Sequence, residues 1–364
     1  MKIAIDISQS VYGTGVSAYT KFLLRNILEI DKENQYLLFG GSFRKLDVLK
    51  DISHEVCGES PNCKSKFLPF SPKVSDIIFN KAHFLPVETF LGKIDVFHSS
   101  DWSQPKSKAF KVTTIHDLAP IFMPQITPKE IVKVHKMRLK RVFDEVDRII
   151  VPSNFTKNEL LRLDFSDKKI RVIYEAPGEV FKPKSAKKVQ TLKNKYHING
   201  SYVLAVGVGE RKNTQGIIRG YELSKAGKDI TLIVVGNNTN PSEVRRGVRF
   251  VGMLEDEELA TLYSGAKALI YPSFYEGFGL PILQAFSCKC PVVTSNLSSM
   301  PEIAGDAAIL VDPKDPGSIA DGIKKALSAP KTYISKGINR IKDFSWKKAA
   351  QETLAVYEEY KEII

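Results

Sequence analysis

Residues 271–293, YPSFYEGFGLPILQAFSCKCPVV, decide the fold. The apolar run AKALIYPS leads into a glycine-rich loop, Glu276-Gly277-Phe278-Gly279-Leu280. Pro281 then opens a helix, and a second apolar run, PVVTSN, follows. Proline suits the first helical turn, where its missing N–H would be unpaired anyway. The two glycines keep bulk off the loop and let the backbone N–H groups of Phe278, Gly279 and Leu280 face outward. With the helix N-terminus these N–H groups form an anion site. Glu276 stands before that site, and Gln284 lies about one turn inside the helix.

The same alternation extends in both directions. The short β-rich runs KIAIDI, QYLLFG, DVFHSS, KVTTIHD, RIIVPS and RVIYE precede YVLAVG, TLIVVG, RFVG, ALIYPS, PVVTSN and AAILV. Helical patterns such as VSAYTKFLLRNILEI and SIADGIKKALS separate most of them. Alternating strands and helices predict parallel sheets with helices on both faces, an α/β fold of two Rossmann-like doubly wound domains. The composition shifts at residues 176–200, where Pro177, Gly178, Pro183 and a lysine run replace strands. That shift predicts domains at 1–178 and 179–345. The last stretch, 346–364, reads as an amphipathic helix with Ala350, Leu354, Val356 and Tyr357 on its apolar face.

A length of 364 residues suits two domains, and 43% hydrophobic with 26% charged residues is the balance of a soluble globular chain. No apolar run reaches the ~20 residues that span a bilayer. MKIAIDIS reads as a strand, not a secretory signal. Cys57, Cys63, Cys288 and Cys290 are too few for a disulfide framework, and Cys288-Lys-Cys290 lacks zinc-site spacing. All four are expected as reduced thiols of a cytoplasmic protein. The formal net charge is +12. One basic run, KPKSAKKVQTLKNK at 182–195, has six lysines and no acid; another, KEIVKVHKMRLKR, covers 129–141. The plain reading of both is solvated charge. The sharper reading takes Lys129, Lys133, Lys136, Arg138, Lys140 and Arg141 as a face for anionic lipid headgroups, peripheral on the inner membrane face. No aromatic–basic interleaving accompanies the charge, so nucleic acid is not an expected partner.

The segment EGFGLPILQA resembles the donor-binding signature of the retaining glycosyltransferase family 4, E-G-F-G-L-P-x-L-E-A. Every marked position matches except the second Glu, which is Gln284 here. The resemblance implies the GT-B fold, an active site in a cleft between two Rossmann-like domains, and a C-terminal helix 346–364 that crosses back onto the first domain. It extends to VLAVGVGERKNTQG at 203–216, where the family's basic pair binds a nucleotide pyrophosphate; Arg211 and Lys212 are that pair. Many members carry Arg directly after the first glycine, where this chain has Val208. In VYGTGVSAYTKFLL at 11–24, Gly13-Thr14-Gly15 matches a loop that approaches donor phosphate and acceptor, before a helix capped near Ser17. The third glycine of a dinucleotide fingerprint is replaced by Ala18, and no acid ends QYLLFG, which disfavours a dehydrogenase.

His116 and Asp117, in KVTTIHDLAP, match the family's His-Asp pair, whose histidine contacts the transferred sugar. His98 and Ser99 are expected along the same cleft. Ser153 or Asn154 caps the helix after VPSN. Gly252, Met253 and Leu254 lie where the family's backbone reads the base, and Glu257 and Glu258 read as first-turn acids. The resemblance thus implies a hexosyltransferase with Glu276 on sugar hydroxyls and Gln284 on the ribose. Arg211, Lys212 and the Phe278–Leu280 backbone would hold the diphosphate. No metal and no cofactor is expected. The donor is a nucleotide diphosphate sugar, GDP-mannose preferred, with UDP- and ADP-sugars open; the acceptor is a glycan, a lipid-linked sugar or a small molecule. The alternatives are a catalytically silent scaffold, suggested by Gln284 and Val208, and another GT-B enzyme such as a nucleotide-sugar epimerase.

Overall fold

The computed structural model describes residues 1–13, 15–226, 229–237 and 245–362. Thr14 of the first glycine-rich loop therefore lies outside the described residues. The chain divides into two compact units: Met1–Glu175 with Ser345–Ile364, and Ala176–Phe344.

Unit 1 carries a seven-stranded sheet. Its strands are β1 (Lys2–Asp6), β2 (Gln35–Gly41), β3 (Cys63–Leu68), β4 (Val96–Ser99), β5 (Phe110–Thr114), β6 (Arg148–Val151) and β7 (Ile170–Val172). They lie in the order β3-β2-β1-β4-β5-β6-β7, paired in parallel. The order reverses between β1 and β4. Such a switch point opens a crevice at the carboxyl ends of the strands. Helix Gly15–Ile30 packs through Tyr19, Leu23, Leu24, Ile27 and Leu28, all buried. Their spacing of three and four residues is one face of a helix.

The C-terminal helix Trp346–Glu358 belongs to unit 1. Trp346 stacks on Phe22 of helix Gly15–Ile30, and the Tyr357 hydroxyl meets His98 Nδ1 at 2.7 Å. Just beyond the helix, Glu359 pairs with Arg148 on β6 and Arg171 on β7.

Unit 2 carries a six-stranded sheet of β8 (Ser201–Val206), β9 (Ile230–Val235), β10 (Val248–Phe250), β11 (Leu269–Tyr271), β12 (Val292–Ser295) and β13 (Ile309–Val311). The order is β10-β9-β8-β11-β12-β13, again paired in parallel, with its switch point between β8 and β11. Its central strands β8, β11 and β12 are buried on both faces along nearly their whole length, so they appear in the sequence as unbroken apolar runs. Val203, Leu232, Ile270 and Val293 meet beneath helices Thr214–Ser224 and Pro316–Ser328.

Four sequence expectations are corrected here. Cys57 and Cys63 form a disulfide, because the helix Leu46–Cys57 ends just before β3 begins and the intervening turn brings the two Cα atoms to 5.5 Å. Cys288 and Cys290 are free and buried. The strand β3 itself was not among the expected runs. Helix Gly15–Ile30 starts before Ser17; that hydroxyl instead donates to the Gln9 carbonyl at 3.0 Å. Arg138 does not face solvent. It is 2% exposed, donates to the Ser100 and Thr114 carbonyls and to Thr113 Oγ1, and lies 3.5 Å from Asp101. Arg141 is half-buried, with Nε donating to the Asn80 carbonyl. None of the described helices is long and apolar enough to cross a membrane.

Candidate active site

The switch point of unit 2 gathers the residues of two separate motifs. β8 ends before Gly207, whose φ of +88° favours glycine. A Cβ there would stand 3.0 Å from the Lys212 side chain, so the bare backbone lets the lysine stem lie across it. Asn213 caps helix Thr214–Ser224 at φ +58°. Its amide donates to the carbonyls of Pro272 and Pro313, tying this loop to the end of β11. Arg211 and Lys212 are thereby fixed beside the loop that follows β11.

Lys212 Nζ lies 2.6 Å from Glu276 Oε1 and 2.6 Å from the Tyr271 hydroxyl. Arg211 Nη1 lies 3.4 Å from Glu276 Oε2. Glu276 is buried, which would raise its carboxyl, but Lys212 and Arg211 hold it below the ordinary carboxylate range. Tyr271 is pushed well above the usual phenol range by burial and by Glu276. Two cations thus share one carboxylate.

The 276–280 loop is held from inside. Ser299 Oγ donates to the carbonyls of Glu276 and Phe278, both at 2.8 Å, and Ser298 Oγ accepts from the Glu276 N–H at 2.9 Å. A trans peptide points its C=O and N–H in opposite directions, so the N–H of Gly279 turns away from Ser299. Gly279 caps helix Leu280–Ser287 at φ +105°, and Pro281 sits in the first turn. The first N–H groups of a helix have no intrahelical partner. Phe278 is buried against Phe344. Gln284 Oε1 accepts from the Tyr263 hydroxyl at 3.2 Å.

Met253 is 73% exposed, Leu254 half-buried, and the Gly252 carbonyl accepts from the Gly236 N–H. Glu257 and Glu258 do stand in the first turn of helix Asp256–Gly265, where they pair with Lys184, Lys188 and Lys195. Two carboxylates of unit 2 thus pair with three of the six lysines of the 182–195 run. Ser153 caps helix Asn154–Leu161.

In unit 1, His116 and Asp117 lie just past β5. His116 Nδ1 meets Glu175 at 3.2 Å, and its ring stands edge-on to Tyr19 at 4.6 Å. Burial would lower the imidazole, but Glu175 raises it above the ordinary value. Asp117 accepts from the Ala119 N–H, just ahead of the short helix Ala119–Phe122. Gly15 is exposed, with open space where a Cβ would stand. His98 and Ser99 line a small space together with His116. Both His98 nitrogens are hydrogen-bonded, to Tyr357 and to Thr114 Oγ1 at 2.9 Å, and Ser99 bonds Gln104 and Thr113. The motifs did not reveal Tyr271, Ser299, Tyr263 or Glu175. Each meets its partner across 21 or more positions and is a common residue type with no local spacing signal.

Among the described residues, no group of three or more His, Cys, Asp or Glu side chains is arranged to hold a metal ion. Two Rossmann-like units, one with a cationic cluster and a helix N-terminus at its switch point, define a GT-B glycosyltransferase. The chain belongs to glycosyltransferase family 4: residues 51–176 match Glycosyltransferase Family 4, and residues 189–342 match Glycosyl transferases group 1. It is 32% identical over 280 residues to the O-antigen chain mannosyltransferase B of Escherichia coli, covering 72% of this chain and 74% of that protein. Its fold is shared by a sucrose-phosphate synthase from Thermosynechococcus elongatus (TM-score 0.77, 19% identity, 100% of both chains). It is also shared by Anabaena Alr3699/HepE, solved with UDP and glucose (TM-score 0.73, 14% identity, 99% of this chain and 100% of that one).

Proposed function

We propose that the chain transfers a mannosyl residue from GDP-mannose to a glycan or lipid-linked acceptor, with retention of configuration and without a metal ion. The observation that carries this reading is the cluster of Arg211, Lys212 and Glu276 beside the N-terminus of helix Leu280–Ser287. The likeness to an O-antigen mannosyltransferase supports mannose over other hexoses, and UDP- or ADP-sugars are the competing donors.

Cleavage of the glycosyl–phosphate bond sends its electron pair to the diphosphate and leaves positive character at the sugar carbon. Lys212, Arg211 and the Gly279–Leu280 backbone are disposed to meet the growing negative charge. The acceptor oxygen bonds to the same face of the sugar carbon, and its proton passes to the leaving phosphate oxygen. As Lys212 turns to the diphosphate, Glu276 is released to hold the sugar hydroxyls. Gln284 receives a ribose hydroxyl through its carbonyl, Met253 and Leu254 border the base, and His116 positions the transferred sugar. The two cations supply the charge that a metal ion would otherwise provide, so turnover is expected to persist in EDTA; loss of turnover restored by a divalent cation would overturn this part.

The phosphate placement is tested by calorimetry with GDP, UDP and ADP. Lys212→Ala should weaken nucleotide binding by roughly ten- to a hundredfold, since a hydrogen bond to a charged group contributes about 1.5–3 kcal/mol. Unchanged affinity would show that the diphosphate lies elsewhere.

The proposed location is cytoplasmic and peripheral on the inner membrane face, where a lipid-linked acceptor would be met. Four exposed lysines on helix Lys129–Glu145, at 129, 133, 136 and 140, support this.

A further inference from the structure

β5, β6 and β7 lie side by side in parallel, so the chain leaves β5 and β7 at the same edge of the sheet. His116 stands two residues past Thr114, and Glu175 three residues past Val172. Their side chains meet there, Nδ1 to Oε1 at 3.2 Å. The Glu175 side chain is 6% exposed and that of His116 13%. The histidine is the more open of the two, and the carboxylate is shut in.

Among the described residues, His116 Nδ1 is the hydrogen-bond partner of the Glu175 carboxylate, and His116 Nε2 has none. A carboxylate taken out of water with a single partner is costly unless that partner carries a positive charge. The ring is also held by Tyr19, edge-on at 4.6 Å, whose hydroxyl bonds Thr114 Oγ1 at 3.3 Å. The other charged and titratable groups around the ring are Asp117 beside it, Asp101 past β4, His98 on β4 and Asp6 on β1. Asp101 is shared with Arg138 at 3.5 Å. Burial pulls the ring down, but Glu175 outweighs it, with help from Asp101 and Asp117.

We propose that Glu175 is the positioning residue of this histidine: it orients the ring through Nδ1 and keeps it an imidazolium, so that Nε2 presents an N–H to an oxygen of the transferred sugar. The inference rests on the reading of His116 above as the residue that positions that sugar. With Nδ1–H directed at the carboxylate, the proton lost as pH rises is the one on Nε2. A neutral His116 then turns a lone pair to the sugar and accepts where it had donated. Glu175 does not touch the sugar; it acts through the ring.

The test has two arms. The first is a pH titration of the histidine ¹⁵N resonances in the full chain without ligand, with His116 assigned among the six histidines by His116→Gln. Its midpoint is expected above the ordinary value of about 6.5. Glu175→Gln, which keeps the shape and removes the charge, should move it below the parent's. The second arm is calorimetry with GDP-mannose, with GDP as the sugar-free control. At pH 6.5 or so, Glu175→Gln should weaken GDP-mannose by about tenfold or more and leave GDP unchanged, because the lost hydrogen bond runs from a charged donor to the sugar. The affinity of the variant should recover as the pH is lowered further and the ring regains its proton; a misshapen site would not recover. Glu175→Asp, which retains the charge, should lie nearer the parent in both arms. A parent midpoint at or below about 6.5, a midpoint that Glu175→Gln leaves in place, undiminished GDP-mannose affinity, or a loss that acid does not restore would overturn the inference. Should Glu175→Gln fail to fold, the parent midpoint decides. GDP that does not bind the parent would count against the donor reading alone, and the resonances would still decide the pair.

Discussion

Gln284 is the position where this chain departs from its family's donor motif, and its surroundings show what the change alters. Its carbonyl accepts from Tyr263, a fully buried phenol that burial pushes well above its ordinary range. The Tyr263 hydroxyl therefore stays protonated and could serve a glutamate equally well. A carboxylate here would add a charged acceptor for a second ribose hydroxyl. Charged hydrogen bonds exceed neutral ones by about 1 kcal/mol, so Gln284→Glu should bind donor equally well or up to about tenfold more tightly. Glu276→Gln should lose most transfer, because it removes the carboxylate that Lys212 and Arg211 share. Steady-state transfer by both variants beside the parent is the comparison. An inactive parent rescued by Gln284→Glu would favour the silent scaffold. At this scale the donor motifs were legible in the sequence because each is a contiguous βα junction. Tyr271 and Glu175 were not, because their partners Lys212 and His116 stand 59 positions away in each case.

Helix Lys129–Glu145 shows how an element sorts its own charges. At 100° per residue, positions 129, 133, 136 and 140 fall on one stripe, and position 138 falls opposite the first. The structure exposes the four lysines and buries Arg138 against the ends of β4 and β5. The proposed membrane face is therefore a lysine stripe, narrower than the six cations grouped by composition. Sedimentation with anionic vesicles is expected to fall as salt rises. Lys133→Gln with Lys136→Gln should weaken it by roughly tenfold or more, at about 1 kcal/mol per lysine. Equal sedimentation with neutral and anionic vesicles would remove the membrane from the proposal and favour a soluble acceptor.

For the molecule as a whole, burial of His98 predicts that the attachment of the C-terminal helix to unit 1 weakens in acid. His98 bonds Tyr357 of that helix. Its ring is driven down to about 3, by burial first and then by His116 and Arg138. The unfolded chain would bind this proton near pH 6.5. The stabilisation from a neutral His98 is therefore complete above about pH 6.5 and is lost as pH falls toward 3. His116 has the opposite sign: its raised value stabilises below about pH 6.5 and that contribution fades as pH rises through the folded value. Thermal unfolding between about pH 7 and pH 4 should show a falling midpoint, and His98→Gln should have a lower midpoint at pH 7 with a flatter slope. An unchanged slope would mean that another group governs the acid side.

The sequence by itself determined the parallel α/β architecture and the glycine turn that opens helix Leu280–Ser287. Doubly buried strands must be continuous apolar runs, and a cap at φ +105° favours glycine; both demands are local. β3 escaped because an edge strand needs only partial burial: CKSKFL carries two lysines and no inner apolar run. Tertiary structure alone decided the rest. It paired Cys57 with Cys63, turned Arg138 inward, gave both nitrogens of His98 to hydrogen bonds within unit 1, and placed Gln9 in the wall of a cavity. Each of these outcomes depends on which distant segment fills the neighbouring space, and residue spacing along the chain carries no record of that.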